Sequence, residues 1–539
     1  MGLRGRLRTD NATAEVTFFM VQHLRSRIIR LLVISMCVAG CAQVPVRPPN
    51  ASISHVLADP LATRWGAHFA PKDGGSKDFS GFHVLQSGVD GLATRVELIR
   101  GSERTLDLQY FIFRGDSSGS LIRQELRKAA ERGVRVRVLV DDGDTLTGDE
   151  KILQLDGLPN IEIRVFNPFG YRGHNQILRN LDFVLHWKRL DYRMHNKLLV
   201  ADNAIALVGG RNIGNQYFQI DPDSQYADDD VFTVGAAVGS LSAAFDEFWN
   251  SDLAFPATAL VSHVTSPNTI DDSVSLAADY LARIDSGQPL ASMLSPSAPL
   301  AWAPAWVLHD SPDKRLIERR QRPGRLMSGA VEKEIKDSRS DLVVVSPYFV
   351  PSGHELALLR EARGRNNAVR ILTNSLESNP EMAAHSGYAK VRIPLLQSGV
   401  RIYEIRAKLD SVEGSGEGHR LARYGNYALH GKMYVFDRHR VFIGSWNYDQ
   451  RSLRLNTEIG VLIDSPSIAG DVLTRFEKMV SPQAAYEVLL DSSRGKQPRL
   501  VWRTEMNQRD QILTVEPSRG WWQRCKAHML AFLPLQPEL

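Results

Sequence analysis

A polar string in this chain recurs at constant internal spacing. His195, Lys197, Asp202, Gly209, Gly210 and Asn212 are matched 235 residues later by His430, Lys432, Asp437, Gly444, Ser445 and Asn447. In each copy the Asn lies 17 residues after the His. Two such strings in register mean a duplicated unit. A duplicated unit brings two imidazoles, two ammonium groups and two amides to one shared site, so the chain must fold as two similar halves.

The flanking sequence repeats too. Strand-like runs at 106–113 and 342–349 are each followed by a helical stretch (121–132 and 355–363) and a second strand-like run (134–140 and 369–372). A further short strand, 161–166 or 400–403, precedes each motif. Strands alternating with helices predict an α/β domain with a largely parallel sheet, present twice.

Within each motif the pattern is that of a strand, so His and Lys two residues apart share one face. Asp202-Asn203 and Asp437-Arg438 supply turns, and the runs 204–208 and 440–443 return as a second strand. Gly209 and Gly444 are expected to let the backbone approach a ligand closely, with Asn212 or Asn447 directed at it.

An imidazole can act as nucleophile or as general acid, and a paired site can divide those roles. Lys and Asn side chains suit the non-bridging oxygens of a phosphate, where they stabilise developing charge. No cluster with metal-ligand spacing accompanies them, so two Lys are expected to do the work of a metal, and no metal or cofactor is predicted. The residues read as a site for phosphodiester transfer through a phosphohistidine.

This constellation resembles the phospholipase D superfamily, over roughly residues 81 to 490. The resemblance implies two tandem α/β sandwich domains with pseudo-twofold symmetry and one shared active site. It also implies that one His attacks phosphorus while the other protonates the leaving alcohol and then activates the incoming one. His195 is taken as the nucleophile and His430 as the acid and base. Glu458 and one of Asp228 to Asp230 look like the acidic positions that orient each His. Asp230 is chosen, because Val231 follows it as Ile459 follows Glu458. Asp202 and Asp437 complete the catalytic motifs but look architectural, and Arg451-Ser452 is given a supporting role only.

The amino terminus predicts the compartment. Arg25, Arg27 and Arg30 precede a short apolar run and then Ala39-Gly40-Cys41. A basic flank, a short apolar core and small residues make a secretory signal, too short for a spanning helix. Residues 38–41 resemble a bacterial lipobox, which implies diacylation of Cys41, and Met20 is the expected start. Ala42 after the Cys leans toward the outer membrane. The expected setting is therefore the periplasmic side of a bacterial envelope. Of three Cys, only Cys525 would remain unmodified in the mature chain, so no intrachain disulfide is expected.

Charge bears on the substrate. The net charge is +4, but residues 1 to 40 hold six Arg against Asp10 and Glu15, leaving the remainder near neutral. Nucleic-acid binding usually needs a basic excess, so a nuclease is disfavoured and a membrane-borne substrate favoured. Local basic clusters at 187–189 and 319–322 read by default as solvated faces.

The predicted layout is a signal with lipobox (1–40), a Pro-containing tether (41–80), a first catalytic domain (81–255), a connector packing across both halves or gating the cleft (256–325), a second domain (326–490) and a C-terminal extension (491–539). In that extension Trp521, Cys525, Met529 and Phe532 fall along one helical face, suited to the lipid interface or to packing on the core. Tether, half-sites and terminal Trp pair together resemble the C-type branch of bacterial cardiolipin synthases. That branch implies phosphatidyl transfer among lipids such as phosphatidylglycerol and phosphatidylethanolamine. Hydrolysis by a phospholipase D is the near alternative; a secreted nuclease and a lipid-binding module without turnover are more distant ones.

Overall fold

The computed structural model describes residues 52–70, 78–143, 154–173, 175–221, 224–260, 276–295, 300–407, 427–493 and 498–531. The predicted signal, the lipobox and Cys41 lie outside them, as does Phe532. Residues 168–191 belong to one compact unit, and the described residues of 52–167 and 192–531 belong to another that holds both motif copies.

In the larger unit the first half contributes β1 (Phe79–Leu85), β2 (Thr105–Tyr110), β3 (Arg135–Asp141), β4 (Ile161–Phe166), β5 (Lys197–Ala201), β6 (Ile205–Gly209), β7 (Gln225–Ala227), β8 (Asp230–Gly235) and β9 (Ala254–Pro256). The second half contributes β10 (Ala301–His309), β11 (Asp341–Val345), β12 (Ala368–Asn374), β13 (Arg401–Ile405), β14 (Tyr427–Leu429), β15 (Met433–Phe436), β16 (Arg440–Gly444), β17 (Ile459–Asp464), β18 (Ala485–Asp491), β19 (Arg499–Met506) and β20 (Arg509–Leu513).

The first-half strands run β9-β4-β3-β2-β5-β6-β8-β1 across the sheet. The second half repeats this as β18-β13-β12-β11-β15-β16-β17-β10. Among these described strands only three in each sheet run parallel to one another, β2 to β4 and β11 to β13. The expectation of a largely parallel sheet is therefore corrected to a mixed one. The reason is local: short turns join β5 to β6 and β15 to β16, and such turns enforce antiparallel neighbours.

Both motif turns have φ above zero at two successive residues, 54° and 50° at Asp202 and Asn203, 53° and 57° at Asp437 and Arg438. That is the hairpin turn whose twist matches the flanking strands. Asp and Asn tolerate the conformation; Arg438 pays for it but holds Asp341 at 2.9 Å. Each motif Asp also reaches back to the start of its half. Asp202 accepts the N–H groups of Glu103, Arg104 and Thr105 at 2.9, 2.7 and 2.9 Å. Asp437 accepts those of Arg339, Ser340 and Asp341 at 2.9, 2.7 and 3.2 Å.

The strands alternate between two cores. Along β5, Leu199 and Ala201 face an outer core shared with the helices Gly88–Gly101 and Ser117–Glu131. Leu198 and Val200 face an inner core that also takes Val343, Val435, Ile443 and Val461 from the second half. The helices Ala236–Trp249 and Pro466–Met479 supply Phe245, Phe248, Val472 and Phe476 to that inner core. One hydrophobic interior thus spans both halves, with helices outside each sheet.

The stretch drawn as a connector contains β10, which pairs with β1 through residues 301–304 and with β17 through 305–309. It is the second half's counterpart of β1, so that half begins before residue 326. The helix expected around 275–283 is Ala278–Asp285, packed on the first half through Tyr280 and Ile284. The C-terminal helix Trp521–Ala531 packs through Ala527, whose carbonyl accepts from Ser386 Oγ at 3.0 Å. Trp521, Trp522 and Met529 stay 62%, 59% and 57% exposed. The predicted apolar face therefore turns outward and is not the face that packs on the core. Among the described residues no helix is long and apolar enough to cross a membrane.

Asp202 is fully buried and Asp437 partly exposed. Asp202→Ala is expected to lose about 3 kcal/mol, because three N–H groups, that of Thr105 buried, lose a buried charged acceptor. Asp437→Ala should lose less. Denaturant unfolding checks this; an equal or reversed order would contradict the architectural role of Asp202.

Candidate active site

His195 and His430 do not lie inside the strands of their motifs. Each sits in an extended segment just before one, so the predicted strand begins only at Lys197 or Met433. What fixes these segments is pairing with the opposite half. Met194 bridges Thr457 in parallel, and His195 N–H donates to the Thr457 carbonyl at 2.9 Å. Correspondingly β14 pairs with β7 in parallel, and His430 N–H donates to the Ala227 carbonyl at 2.8 Å.

The same crossing delivers a carboxylate to each imidazole. His195 Nδ1 lies 2.9 Å from Glu458 Oε2 of the second half. His430 Nδ1 lies 2.5 Å from Asp228 Oδ2 of the first half. An Nδ1–H held by a carboxylate leaves Nε2 of each ring with the lone pair. All four side chains are buried.

The partner of His430 is thus Asp228, a correction to the choice of Asp230. Asp230 instead lies 2.9 Å from Arg95 and 3.1 Å from Arg211, fully buried. Strand register held the missing signal. Gly209 pairs with Asp230 and Gly444 with Gly460, so Asp228 aligns with Glu458 and Val231 with Val461. Matching Val231 to Ile459 slipped the alignment by two residues.

The motif glycines make room for the neighbouring strand and its carboxylate. A Cβ on Gly209 or Gly444 would stand 2.4 Å from the neighbouring strand's carbonyl, of Asp229 or Ile459. A Cβ on Gly210 would stand 2.0 Å from Asp228 Oδ1. Ser445 takes the place of Gly210 in the second copy, and its hydroxyl donates to Glu458 at 2.5 Å. Ser452 donates to the other Glu458 oxygen at 2.7 Å, which gives it a specific task beyond capping.

Sequence reasoning missed the support behind Glu458. Its N–H donates to Asp310 Oδ2 at 3.0 Å. Asp310 is held by Lys314 at 2.8 Å, and Lys314 also donates to the Ser452 and Asn456 carbonyls. Acid and base four residues apart were visible in the sequence, but their target was not.

The Asn212 side chain differs from expectation. Asn212 accepts from Ile112 N–H at 3.1 Å and donates to Tyr217 at 2.9 Å, so it is engaged in bracing. Tyr217 packs edge-on against His430 at 5.1 Å and Tyr226 stacks on it at 5.2 Å. Phe111 packs against His195 at 5.1 Å. Asn447 is buried with no hydrogen-bond partner on its Oδ1. Lys197 and Lys432 each donate to the carbonyl of their own motif His, and Lys432 Nζ lies 2.9 Å from His430 Nδ1.

Burial and mutual charge set the electrostatics. Burial pushes the His195 imidazole well below its usual value, and Lys197 and Lys432 push it further. His430 is pushed down to about 3 by burial and Lys432, against Asp228. Burial lowers Lys197 strongly and Lys432 to about 8. It also raises Glu458 to about 7. On Asp228 burial is outweighed by His430, Lys432 and Arg211, which hold it below the usual carboxylate range. Lys432 acts on His195 and Asp228 on Lys197, so the two half-sites are electrostatically one.

A family model described as cardiolipin synthase, PLD-like domain matches twice, at residues 96–249 and 331–480. The chain belongs to this family of the phospholipase D superfamily. It is 34% identical to cardiolipin synthase C of Escherichia coli, over 85% of this chain and 95% of that one. It is 25% identical to the major cardiolipin synthase of Bacillus subtilis, over 76% of this chain and 70% of that one. Among solved structures it is similar to phosphatidylserine synthase of Haemophilus influenzae. There the TM-score is 0.52 at 15% identity, covering 76% of this chain and 87% of that one. That likeness shows the fold, the two-sandwich α/β arrangement.

The Lys432 value gives a pH dependence. Below about 8 the ammonium is present and can bind a phosphate; above it the cation is lost. The expected kcat/KM therefore falls as pH rises through about 8, and Lys432→Arg should move the fall to higher pH. A bound phosphodiester anion favours the ammonium, so kcat should fall later than kcat/KM. A flat kcat/KM profile between pH 7 and about 9 would sink this role.

Proposed function

We propose that the chain is a membrane-associated phosphatidyltransferase that moves a phosphatidyl group between glycerophospholipids through a phosphohistidine. The observation that carries it is the pair of buried His–carboxylate dyads, each assembled across the halves. Relatives named as cardiolipin synthases support the substrate class.

In the first step Nε2 of His195 attacks phosphorus. An N–P bond forms, the bond from phosphorus to the leaving alcohol breaks, and His430, protonated at Nε2 once the phosphodiester anion is bound, gives that oxygen its proton. In the second step His430 takes the proton of an incoming hydroxyl, whose oxygen attacks phosphorus as the N–P bond breaks. Lys197 and Lys432 stabilise the charge on the non-bridging oxygens throughout.

The carboxylates favour this division of roles. Asp228 is the firmer anion, suited to support His430 whenever that ring holds a proton. Glu458, raised to about 7 by burial, is the weaker one and leaves His195 a neutral nucleophile. Phosphatidylglycerol carries headgroup hydroxyls and fits the acceptor; it or phosphatidylethanolamine fits the donor. Hydrolysis shares the intermediate, and the aromatic walls of Phe111, Tyr217 and Tyr226 favour an alcohol over water.

Wild type with labelled phosphatidylglycerol and phosphatidylethanolamine is expected to form cardiolipin, read by mass spectrometry. His195→Ala and His430→Ala should each abolish it. Phosphatidic acid as sole product would make the chain a phospholipase. Rapid quench of wild type should trap label on His195; label on His430 instead would reverse the roles.

The same proposal places the chain on the periplasmic side of a bacterial envelope membrane, held by acylated Cys41. The basic flank, apolar run and small residues before Cys41 support this. Cells given labelled palmitate should label wild type and not Cys41→Ser; equal labelling would exclude that anchor.

A further inference from the structure

Between β4 and β5 the chain leaves the larger unit at Asn167 and rejoins it at Tyr192, three residues before His195. The intervening unit contains two helices, Gln176–Leu185 and Trp187–Leu190. Its polarity is inverted. Asp182 is fully buried, accepts the Tyr171 N–H at 2.9 Å and meets His186 Nδ1 at 2.7 Å. Arg179 is 5% exposed, with its guanidinium 3.9 Å from the Phe169 ring centroid. Arg189 donates to the Pro168 carbonyl at 2.7 Å, and Phe169 stacks with Phe183.

The apolar residues point the other way. Ile177 is 77% exposed, Val184 64%, Leu185 51% and Trp187 46%. At positions i, i+7 and i+8, Ile177, Val184 and Leu185 share one face of the longer helix, opposite Arg179 and Asp182. A helix bathed in water does the reverse, burying such a face and exposing its charges. The internal bonds show that the unit is braced in this orientation, so its apolar face is built to be covered from outside.

We propose that this helical hairpin is a membrane-docking element, whose Ile177, Val184, Leu185 and Trp187 enter the interface of an anionic phospholipid bilayer. The inference rests on reading phospholipids as the substrate. Charge favours that occupant. Residues 168–191 contain Arg172, Arg179, Lys188 and Arg189 against Asp182 and Asp191; with Arg179 and Asp182 both buried, Arg172, Lys188 and Arg189 remain against Asp191 alone. Trp187 beside the exposed Lys188 sets an aromatic and a cation at the edge of the apolar face, as interfacial helices do. The hairpin feeds directly into the segment carrying His195, so it links lipid contact to the catalytic motif along the chain. The basic cluster at 187–189 thereby has a task beyond solvation.

The test compares full-length wild type with the Ile177→Ser/Val184→Ser/Leu185→Ser variant, leaving Trp521 and Trp522 in place. Sedimentation with phosphatidylglycerol–phosphatidylethanolamine vesicles should weaken roughly tenfold or more, given the apolar area removed. Turnover of vesicle lipid should fall through KM by a similar factor, while turnover of dispersed short-chain phosphatidylglycerol stays unchanged. Unaltered vesicle binding would overturn the proposal. So would equal loss on both substrates, which marks a structural role, or a wild-type dimer that the variant breaks, which marks a second copy as the occupant. A wild type that binds vesicles through the hairpin yet transfers no phosphatidyl group would refute the proposed function and leave the docking element standing.

Discussion

Each catalytic imidazole is held by a carboxylate from the other half, and most of the architecture follows from that exchange. His195 depends on Glu458 and His430 on Asp228, so neither half contains a complete dyad. The parallel contacts of Met194 with Thr457 and of β7 with β14 carry acid and base across the boundary. The inner core shared by both sheets then has a second purpose. It keeps two buried charge pairs in register to within hydrogen-bond distance, and a buried carboxylate that lost its partner would be strongly destabilising. Duplication therefore produced one indivisible site and not two weaker ones.

The copies have diverged where the dyads differ. Asp228 is short and needs the space that Gly210 leaves beside it. Glu458 is one methylene longer, and Ser445 at the matching position fills that space and donates to it. Ser452, Asp310 and Lys314 complete a fixed hydrogen-bonded seat for Glu458. Asp228 lies instead among His430, Lys432 and Arg211, which keep it ionised despite burial. A symmetric pair of His thus occupies two unlike electrostatic settings, as a nucleophile and an acid require.

Much of this was legible from residue types and spacing alone. The duplicated motif, the strand 161–166 and the turns at Asp202 and Asp437 are local features, and local rules describe them. The failures share a cause: each depended on a neighbour distant in sequence. Three consecutive Asp cannot be told apart until the ladder pairs Gly209 with Asp230 and leaves Asp228 facing His430. Gly209 reads as room for a ligand until the Asp229 carbonyl is found against it. The mixed sheet was implicit in two tight hairpins, since a strand joined by a short turn must be antiparallel to its predecessor. Lys314 carries no local signal of its role, and only the tertiary fold buries it behind Glu458.

The two lysines show why such a site can work without being stable in its own right. Burial disfavours both ammonium groups, Lys432 adds to the cost on Lys197, and both raise the cost of protonating His195. In water, two cations beside two imidazoles would be screened and would exert little pull on a phosphate. Inside the aromatic and aliphatic walls the same charges are costly until an anion arrives, and their interaction with it is correspondingly strong. The phosphodiester supplies the missing negative charge, favours the protonated lysines and lets His430 hold a proton beside Asp228. The phosphate's negative charge thus offsets a burial cost that Asp228 alone only partly relieves.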